Sequence, residues 1–229
     1  MAKTIIITGA SSGIGKATAE LLSEQGYKLI LLARKKEILD EIAKKNKNCL
    51  VYPCDLMNAE EAEKISKKIT EDFPIIDVLV NNAGVGFPTK LDEISIEDYD
   101  KIMDTNIKGL VLFTKNILKQ MEKNNSGHII NVSSPAGIQS NPVAPIYCTS
   151  KFALEGYTQG LRMHIKETKK NIRVTCVRPG GVDTNYWGKR DVDRTKFMTS
   201  EEMALVLKFV IDFPKDSNVQ DITMESVRY

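Results

Sequence analysis

Tyr147 and Lys151 stand four residues apart, so on a helix they are neighbours on one face. A free phenol has a pKa of about 10 and is a poor acid or base at neutral pH. An ammonium beside it favours the phenolate and makes proton transfer at the ring oxygen usable. The chemistry is proton donation to an oxygen that gains negative charge, or proton removal in reverse. A hydroxyl could stabilise that charge by hydrogen bonding. Ser133 and Ser134, at the end of Asn131-Val132-Ser133-Ser134, are the candidates. Neighbouring strand residues face opposite ways, so only one of them should reach the site.

A second group of residues is suited to phosphate. Thr8-Gly9-Ala10-Ser11-Ser12-Gly13-Ile14-Gly15 follows a short apolar run and opens an amphipathic one. Glycine lets a pyrophosphate close on the turn, and the helix N-terminus offers unpaired N–H groups. The last glycine permits tight packing of helix on strand. Gly9, Ser11, Ser12, Gly13, Ile14 and Gly15 are the expected contacts. No Gly-Lys-Ser/Thr run is present, which excludes a nucleoside-triphosphate P-loop. The second apolar run ends Leu32-Ala33-Arg34-Lys35-Lys36. An acid about 20 positions past the glycines would bind the ribose 2′-hydroxyl of NAD. Ala33 and Arg34 stand there instead, and Arg34 can clamp a 2′-phosphate, so the expected cofactor is NADP(H).

These residues need a scaffold. Apolar runs without strict alternation predict strands at Thr4–Thr8, Lys28–Ala33, Cys49–Pro53, Val78–Asn81, His128–Val132, Arg173–Val177 and Asp221–Met224. Helices are predicted at Ile14–Gln25, Lys36–Lys45, Ala59–Asp72, Asp98–Lys123, Tyr147–Lys169 and Ser200–Ile211. Strand and helix alternate throughout, which predicts an α/β fold with a doubly wound parallel sheet. No linker or repeat divides residues 1–229, so one domain is expected, with Val182–Thr199 as an irregular loop suited to substrate.

Composition narrows the function. Of 229 residues, 42% are hydrophobic and 27% charged, as in an ordinary globular chain. The net charge of +2 shows no bias toward nucleic acid or an anionic membrane. Four unpaired-looking cysteines and two histidines fit no metal site, and Cys148 and Cys176 read as packed thiols. No apolar run reaches the roughly 18–20 residues of a membrane span, and the start lacks a signal-peptide core, so a cytoplasmic enzyme is expected. His164 is expected on a solvated helix face.

Four more segments join the glycine turn in order: Asn81-Asn82-Ala83-Gly84, Asn106 in a long helix, Tyr147-Cys148-Thr149-Ser150-Lys151, and Pro179-Gly180-Gly181-Val182-Asp183-Thr184. With these motifs the chain resembles the short-chain dehydrogenase/reductase family, in its standard short branch, from about Lys3 to Thr223. The resemblance implies a Rossmann-type sheet and transfer of hydride between nicotinamide and a carbonyl or secondary alcohol. Ser134 lies thirteen residues before Tyr147, the interval this family uses, which favours it over Ser133. The resemblance also implies that Lys151 holds the nicotinamide ribose and Asn106 anchors a proton-relay water. Asp55 with Leu56 would meet the adenine. Asn82 and Ala83 would line the adenosine side, with Gly84 allowing close approach. Val182 and Thr184, after Pro179 and Gly180, would touch the nicotinamide end. It implies a homodimer or homotetramer built on the long helices, where Phe152, Leu154 and Tyr157 either offer apolar surface or face the sheet.

Specificity would come from Tyr186 and Trp187 on the loop and from Ile138, Pro142, Val143 and Ile146 on the opposite wall. Lys189, Arg190, Arg194 and Lys196 against Asp191 and Asp193 leave the loop at +2, which permits an anionic substrate but is also what solvated loop charges look like. Reduction of a 3-oxoacyl-acyl-carrier protein is an alternative, weakened because the Gly-rich tail common in such reductases is missing. A protein that binds NADP as a sensor without turnover is another. Turnover of a carbonyl panel separates them.

Overall fold

The computed structural model describes residues 2–45, 48–188 and 190–228, which leaves Lys189 of the loop outside the described residues. Seven strands form one sheet: β1 (Thr4–Thr8), β2 (Lys28–Ala33), β3 (Cys49–Pro53), β4 (Val78–Asn81), β5 (Gly127–Val132), β6 (Ile172–Pro179) and β7 (Asp221–Met224). Their order is β3-β2-β1-β4-β5-β6-β7, and every described pairing is parallel. The helices are α1 (Gly13–Glu24), α2 (Lys36–Lys44), α3 (Ala59–Asp72), α4 (Ile96–Met103), α5 (Leu110–Asn124), α6 (Pro145–Thr168) and α7 (Ser200–Asp212).

The strands lack alternation because both faces of the sheet are covered. Ile5 and Ile7 of β1 point into one core with Leu22 of α1, Leu39 of α2 and Leu207 of α7. Ile6 points the other way, into a core with Ile69 of α3, Phe113 and Ile117 of α5 and Leu161 of α6. Local chemistry sets the ends of several helices. Asn58 caps α3 by accepting from Glu61 N at 3.1 Å, and Thr199 with Glu202 forms a reciprocal cap on α7.

Two expectations need correction. Asp98–Lys123 is not one α-helix. It is α4, a π-helical turn at Asp104–Gly109, and α5. The π turn is where the chain must swerve around Leu56: a Cβ on Gly109 would stand 1.8 Å from the Leu56 carbonyl oxygen. The loop Val182–Thr199 is more ordered than its sequence suggests, with 3₁₀ turns at Asn185–Trp187 and Arg194–Lys196 and a bridge from Val182 to Met198.

Candidate active site

The strand order reverses at β1, whose neighbours are β2 and β4, and ligands of open parallel sheets bind at such a switch point. Both turns leaving β1 and β4 carry the expected residues. Gly9 and Gly13 take left-handed φ values of 68° and 51°. A Cβ on Gly15 would lie 2.4 Å from the Gly9 carbonyl oxygen, and one on Gly9 would lie 2.9 Å from the Ala83 Cα. Ser11 is half-buried, Ser12 is exposed and Ile14 packs on the core. Ser12 is the N-cap of α1, yet its hydroxyl makes no capping bond, and the first turn has no acidic residue. The leading amides of α1 therefore remain for an anion. This cradle of open amides fits a pyrophosphate.

The two turns are laced together. Thr8 Oγ1 accepts from the backbone N–H of Asn82 and of Ala83, each at 3.0 Å, and Asn82 Nδ2 donates to the Thr8 carbonyl at 3.0 Å. The Asn82 side chain thus braces the cradle from behind. Arg34 is exposed at the tip of β2 and makes no ion pair among the described residues. Asp55 is half-buried after β3, with Oδ1 accepting from Met57 N at 3.0 Å, and Leu56 is buried. On the far side, Pro179 pairs with Met224, and Gly180 N donates to the Met224 carbonyl at 2.8 Å. Val182 is buried, and Thr184 packs against Gly13, where a Cβ would meet Thr184 Cγ2 at 3.0 Å.

Between these walls lie the residues suited to proton transfer. Lys151 is buried on α6 and its Nζ donates to the Val132 carbonyl at 2.9 Å. The same ammonium stands 5.6 Å from the centre of the Tyr147 ring. Burial pulls Lys151 down to about 8, while Cys176 and Glu155 pull the other way. The Tyr147 phenol is raised above its ordinary value, chiefly by burial and next by Tyr186, while a hydrogen bond with Ser134 lowers it. Removal from water dominates at this phenol. The Ser134 hydroxyl also accepts from Ala136 N at 3.2 Å. Ser133 is buried with its Oγ unpaired among the described residues, and Glu155, against the cost of burial, is held below its ordinary value chiefly by Arg178.

Asn106 sits buried in the π turn. Its Oδ1 accepts from Val85 N at 2.8 Å, and its Nδ2 donates to the Val85 carbonyl at 2.8 Å and to Ser150 Oγ at 2.9 Å. The side chain is fully engaged in tying the β4 turn to α6. Gly84 leaves room beside it, a Cβ there lying 3.3 Å from Asn106 Oδ1 and 3.7 Å from Lys151 Nζ.

Sequence reasoning missed two features. Asn81 donates to Thr114 Oγ1 and to Asn131 Oδ1, each at 2.9 Å, and Asn131 donates to Thr158 Oγ1 at 2.8 Å. This buried chain pins β4 and β5 to α5 and α6; two asparagines closing buried apolar strands were its signal. The second is Phe197, which extends the expected loop aromatics Tyr186 and Trp187. The Tyr186 ring lies 5.5 Å from that of Tyr147, and Trp187 and Phe197 continue the aromatic row. Of the opposite wall, Ile138 and Val143 are exposed, and Val143 O accepts from Thr89 N at 3.1 Å. His164 is exposed but paired with Glu122 at 2.6 Å. Of the three α6 residues whose direction the sequence left open, Leu154 is buried, Tyr157 packs on the core and Phe152 faces outward.

Comparison with known proteins agrees over nearly the whole chain. The family model described as short chain dehydrogenase matches residues 3–195. An uncharacterized oxidoreductase of Staphylococcus saprophyticus is 35% identical over 98% of this chain and 97% of its own length. Among solved structures, an alcohol dehydrogenase from the archaeon Thermococcus sibiricus, complexed with 5-hydroxy-NADP, superposes with a TM-score of 0.89 at 28% identity, covering 100% of this chain and 98% of that one. The closed form of a serine dehydrogenase complexed with NADP+ gives 0.87 at 27% identity, covering 99% and 96%. Among the described residues, no helix is long and apolar enough to cross a membrane.

Proposed function

The chain belongs to the short chain dehydrogenase family, and from that premise we propose that it is an NADP(H)-dependent oxidoreductase interconverting a carbonyl compound and a secondary alcohol. The observation that carries this reading is the meeting of Ser134, Tyr147 and Lys151 beside a turn in which Gly9 and Gly15 leave no room for a Cβ.

Gly9, Ser11, Ser12, Gly13, Ile14 and Gly15 would hold the pyrophosphate through backbone amides, and Arg34 the 2′-phosphate. Asp55 and Leu56 would meet the adenine, with Asn82, Ala83 and Gly84 shaping the adenosine side. Lys151 and Tyr147 would bind the nicotinamide ribose, and Pro179, Gly180, Val182 and Thr184 would border the nicotinamide. The 5-hydroxy-NADP and NADP+ held by the two solved relatives support this choice of cofactor. When bound, the dinucleotide supplies the hydride to the carbonyl carbon. Ser134 donates a hydrogen bond to the carbonyl oxygen, and Tyr147 gives that oxygen its proton as negative charge builds there. A phenol raised by burial stays protonated at neutral pH, which suits the reducing direction. Lys151 favours the phenolate left behind. Asn106 holds the β4 turn and α6 in register and, with its neighbours in the π turn, borders the route for proton return. A homodimer or homotetramer using the outer face of α6 would cover Phe152 and Met163, which are exposed.

Tyr147→Phe tests the reading. NADPH oxidation on a panel of diketones, aldehydes and oxo acids should fall by roughly a thousandfold, with NADPH affinity, read by fluorescence, within a fewfold of the parent. Unchanged turnover would overturn the mechanism. Binding of NADPH with no turnover of any compound by the parent protein would mark a sensor instead.

A further inference from the structure

The loop after β6 carries a cation over the site, and among the described residues no counter-ion pairs with it. The Arg190 guanidinium stacks on the Tyr186 ring, 4.6 Å from its centre, and lies 5.3 Å from the centre of Trp187. Its Nη2 donates to the carbonyl of Gly86 at 2.8 Å and to that of Tyr186 at 2.7 Å. Gly86 lies 104 residues away in sequence, on the turn leaving β4, so the side chain closes the loop onto the site instead of trailing in solvent.

Both acceptors are neutral carbonyls. Among the described residues no carboxylate pairs with Arg190, whereas Arg194 on the same loop pairs with Asp183 at 3.3 Å. The two hydrogens of Nη2 go to these carbonyls and the Tyr186 hydroxyl also leans on the guanidinium, which leaves part of the Nε and Nη1 edge for a ligand. One ring separates this fork from the proton donor: the Tyr186 ring lies 5.5 Å from that of Tyr147. Buried Lys151 adds a second positive charge behind Tyr147. A planar fork held in a partly dry site is the group that best discriminates a carboxylate from its neutral analogue.

We propose that Arg190 selects substrates bearing a carboxylate close to the reacting carbon, that is, short-chain oxo acids and the matching hydroxy acids. The carboxylate meets the open side of the guanidinium while the reacting oxygen lies between Ser134 and Tyr147. This inference rests on the reductase reading for the reaction and on Arg190 alone for the substrate class. It turns the loop's surplus of positive charge from a property of solvated side chains into a property of one residue.

Trp187 is the chain's single tryptophan and it touches Arg190, so its fluorescence reports on the site. With NADP+ present, the protein is titrated with 3-hydroxybutanoate and with its methyl ester, and the oxidation of each is followed in parallel. The acid should bind about 30-fold more tightly than the ester, the range of a charge-assisted hydrogen-bonded pair. Arg190→Met should remove most of that ratio, both in binding and in kcat/KM, with the kinetic loss appearing in KM. Arg190→Lys, which keeps the charge and can still reach the carbonyls, should retain part of it and guards against a collapsed loop. Equal affinity for acid and ester in the parent, or a ratio unchanged by Arg190→Met, would overturn the inference. Turnover of both compounds without preference would do so while leaving the reductase reading standing. Arg190-dependent binding of the acid with no turnover of either would overturn the reductase reading and keep the carboxylate site.

Discussion

Lys151 is the residue whose burial should set the pH dependence of the proposed reaction. It is 5% exposed and its ammonium is spent on the Val132 carbonyl, so burial brings it down to about 8. Tyr147, Glu155 and Cys176 are the titratable groups around it. Above that value the lysine loses the charge that favours the Tyr147 phenolate, so kcat/KM for reduction should fall as the pH rises through about 8. Lys151→Arg, which cannot lose its proton in this range, should remove the limb from the pH profile even if it lowers the rate. The linked stability effect has the opposite sense. Between about 8 and the ordinary 10.5 the unfolded chain holds the proton and the folded one does not, so this group's contribution to stability rises with pH across that window. Behind Lys151, Glu155, Cys176 and Asp221 bring their ligand atoms within 4.8 Å of one another, but the Arg178 guanidinium bonds both carboxylates and supplies the positive charge there. At the cofactor end, Arg34→Asp should weaken NADPH by about a hundredfold and NADH far less, since it replaces a phosphate clamp by a like charge. Equal losses for both, measured by fluorescence titration, would place Arg34 away from the 2′-phosphate.

The π turn between α4 and α5 is the element on which the site's geometry depends. Its wider winding brings Asn106 inward, against Val85 and Ser150, with both ends of the amide satisfied. Its own place is set by Gly109, which lets the chain pass the Leu56 backbone next to Asp55. Gly109→Ala would put a methyl 1.8 Å from a carbonyl oxygen, a clash with backbone that no rotamer relieves. The loss should be roughly 2–4 kcal/mol, read from the urea midpoint at constant slope. Because Asn106 moves with the turn, kcat should fall in the protein that remains folded. The uncapped start of α1 makes the contrasting case. There the chain leaves a local stabilisation unmade, and the open amides face the cradle.

Across the whole molecule, two cores hold one sheet, and a buried histidine links the sheet to acid sensitivity. His128 on β5 is 2% exposed, with Nε2 set 2.8 Å from Thr175 Oγ1, whose own proton goes to the Val219 carbonyl. Burial, with the nearby charges of Arg173 and Lys3, brings its pKa from 6.5 to about 3. Below the ordinary value the unfolded chain takes up a proton that the folded chain refuses. Stability from this group is therefore complete above about 6.5 and is lost as the pH falls toward 3. His128→Gln, which can still donate toward Thr175, should flatten that limb in thermal melts taken from pH 7 to pH 4. A limb of unchanged steepness would assign the acid loss to the carboxylates.

The parallel sheet and the candidate residues were readable in the order of the amino acids because their causes are local. Strands buried on both faces must be runs of Ile, Val and Leu; a phosphate turn must be glycine; and Tyr147 and Lys151 meet because a helix brings every fourth residue round. Burial and partners are long-range, and these only the tertiary structure decided. It set the rise at Tyr147 and the drop at Lys151, since both follow from exclusion of water by segments far away in the chain. It broke the long helix at Asp104–Gly109, because the obstacle there is a carbonyl some fifty residues earlier in the chain. It also separated Arg190 from Arg194: in sequence both are cations beside acids, and only the folded loop shows that Arg194 pairs with Asp183 while Arg190, among the described residues, bonds neutral carbonyls next to the Tyr147 site.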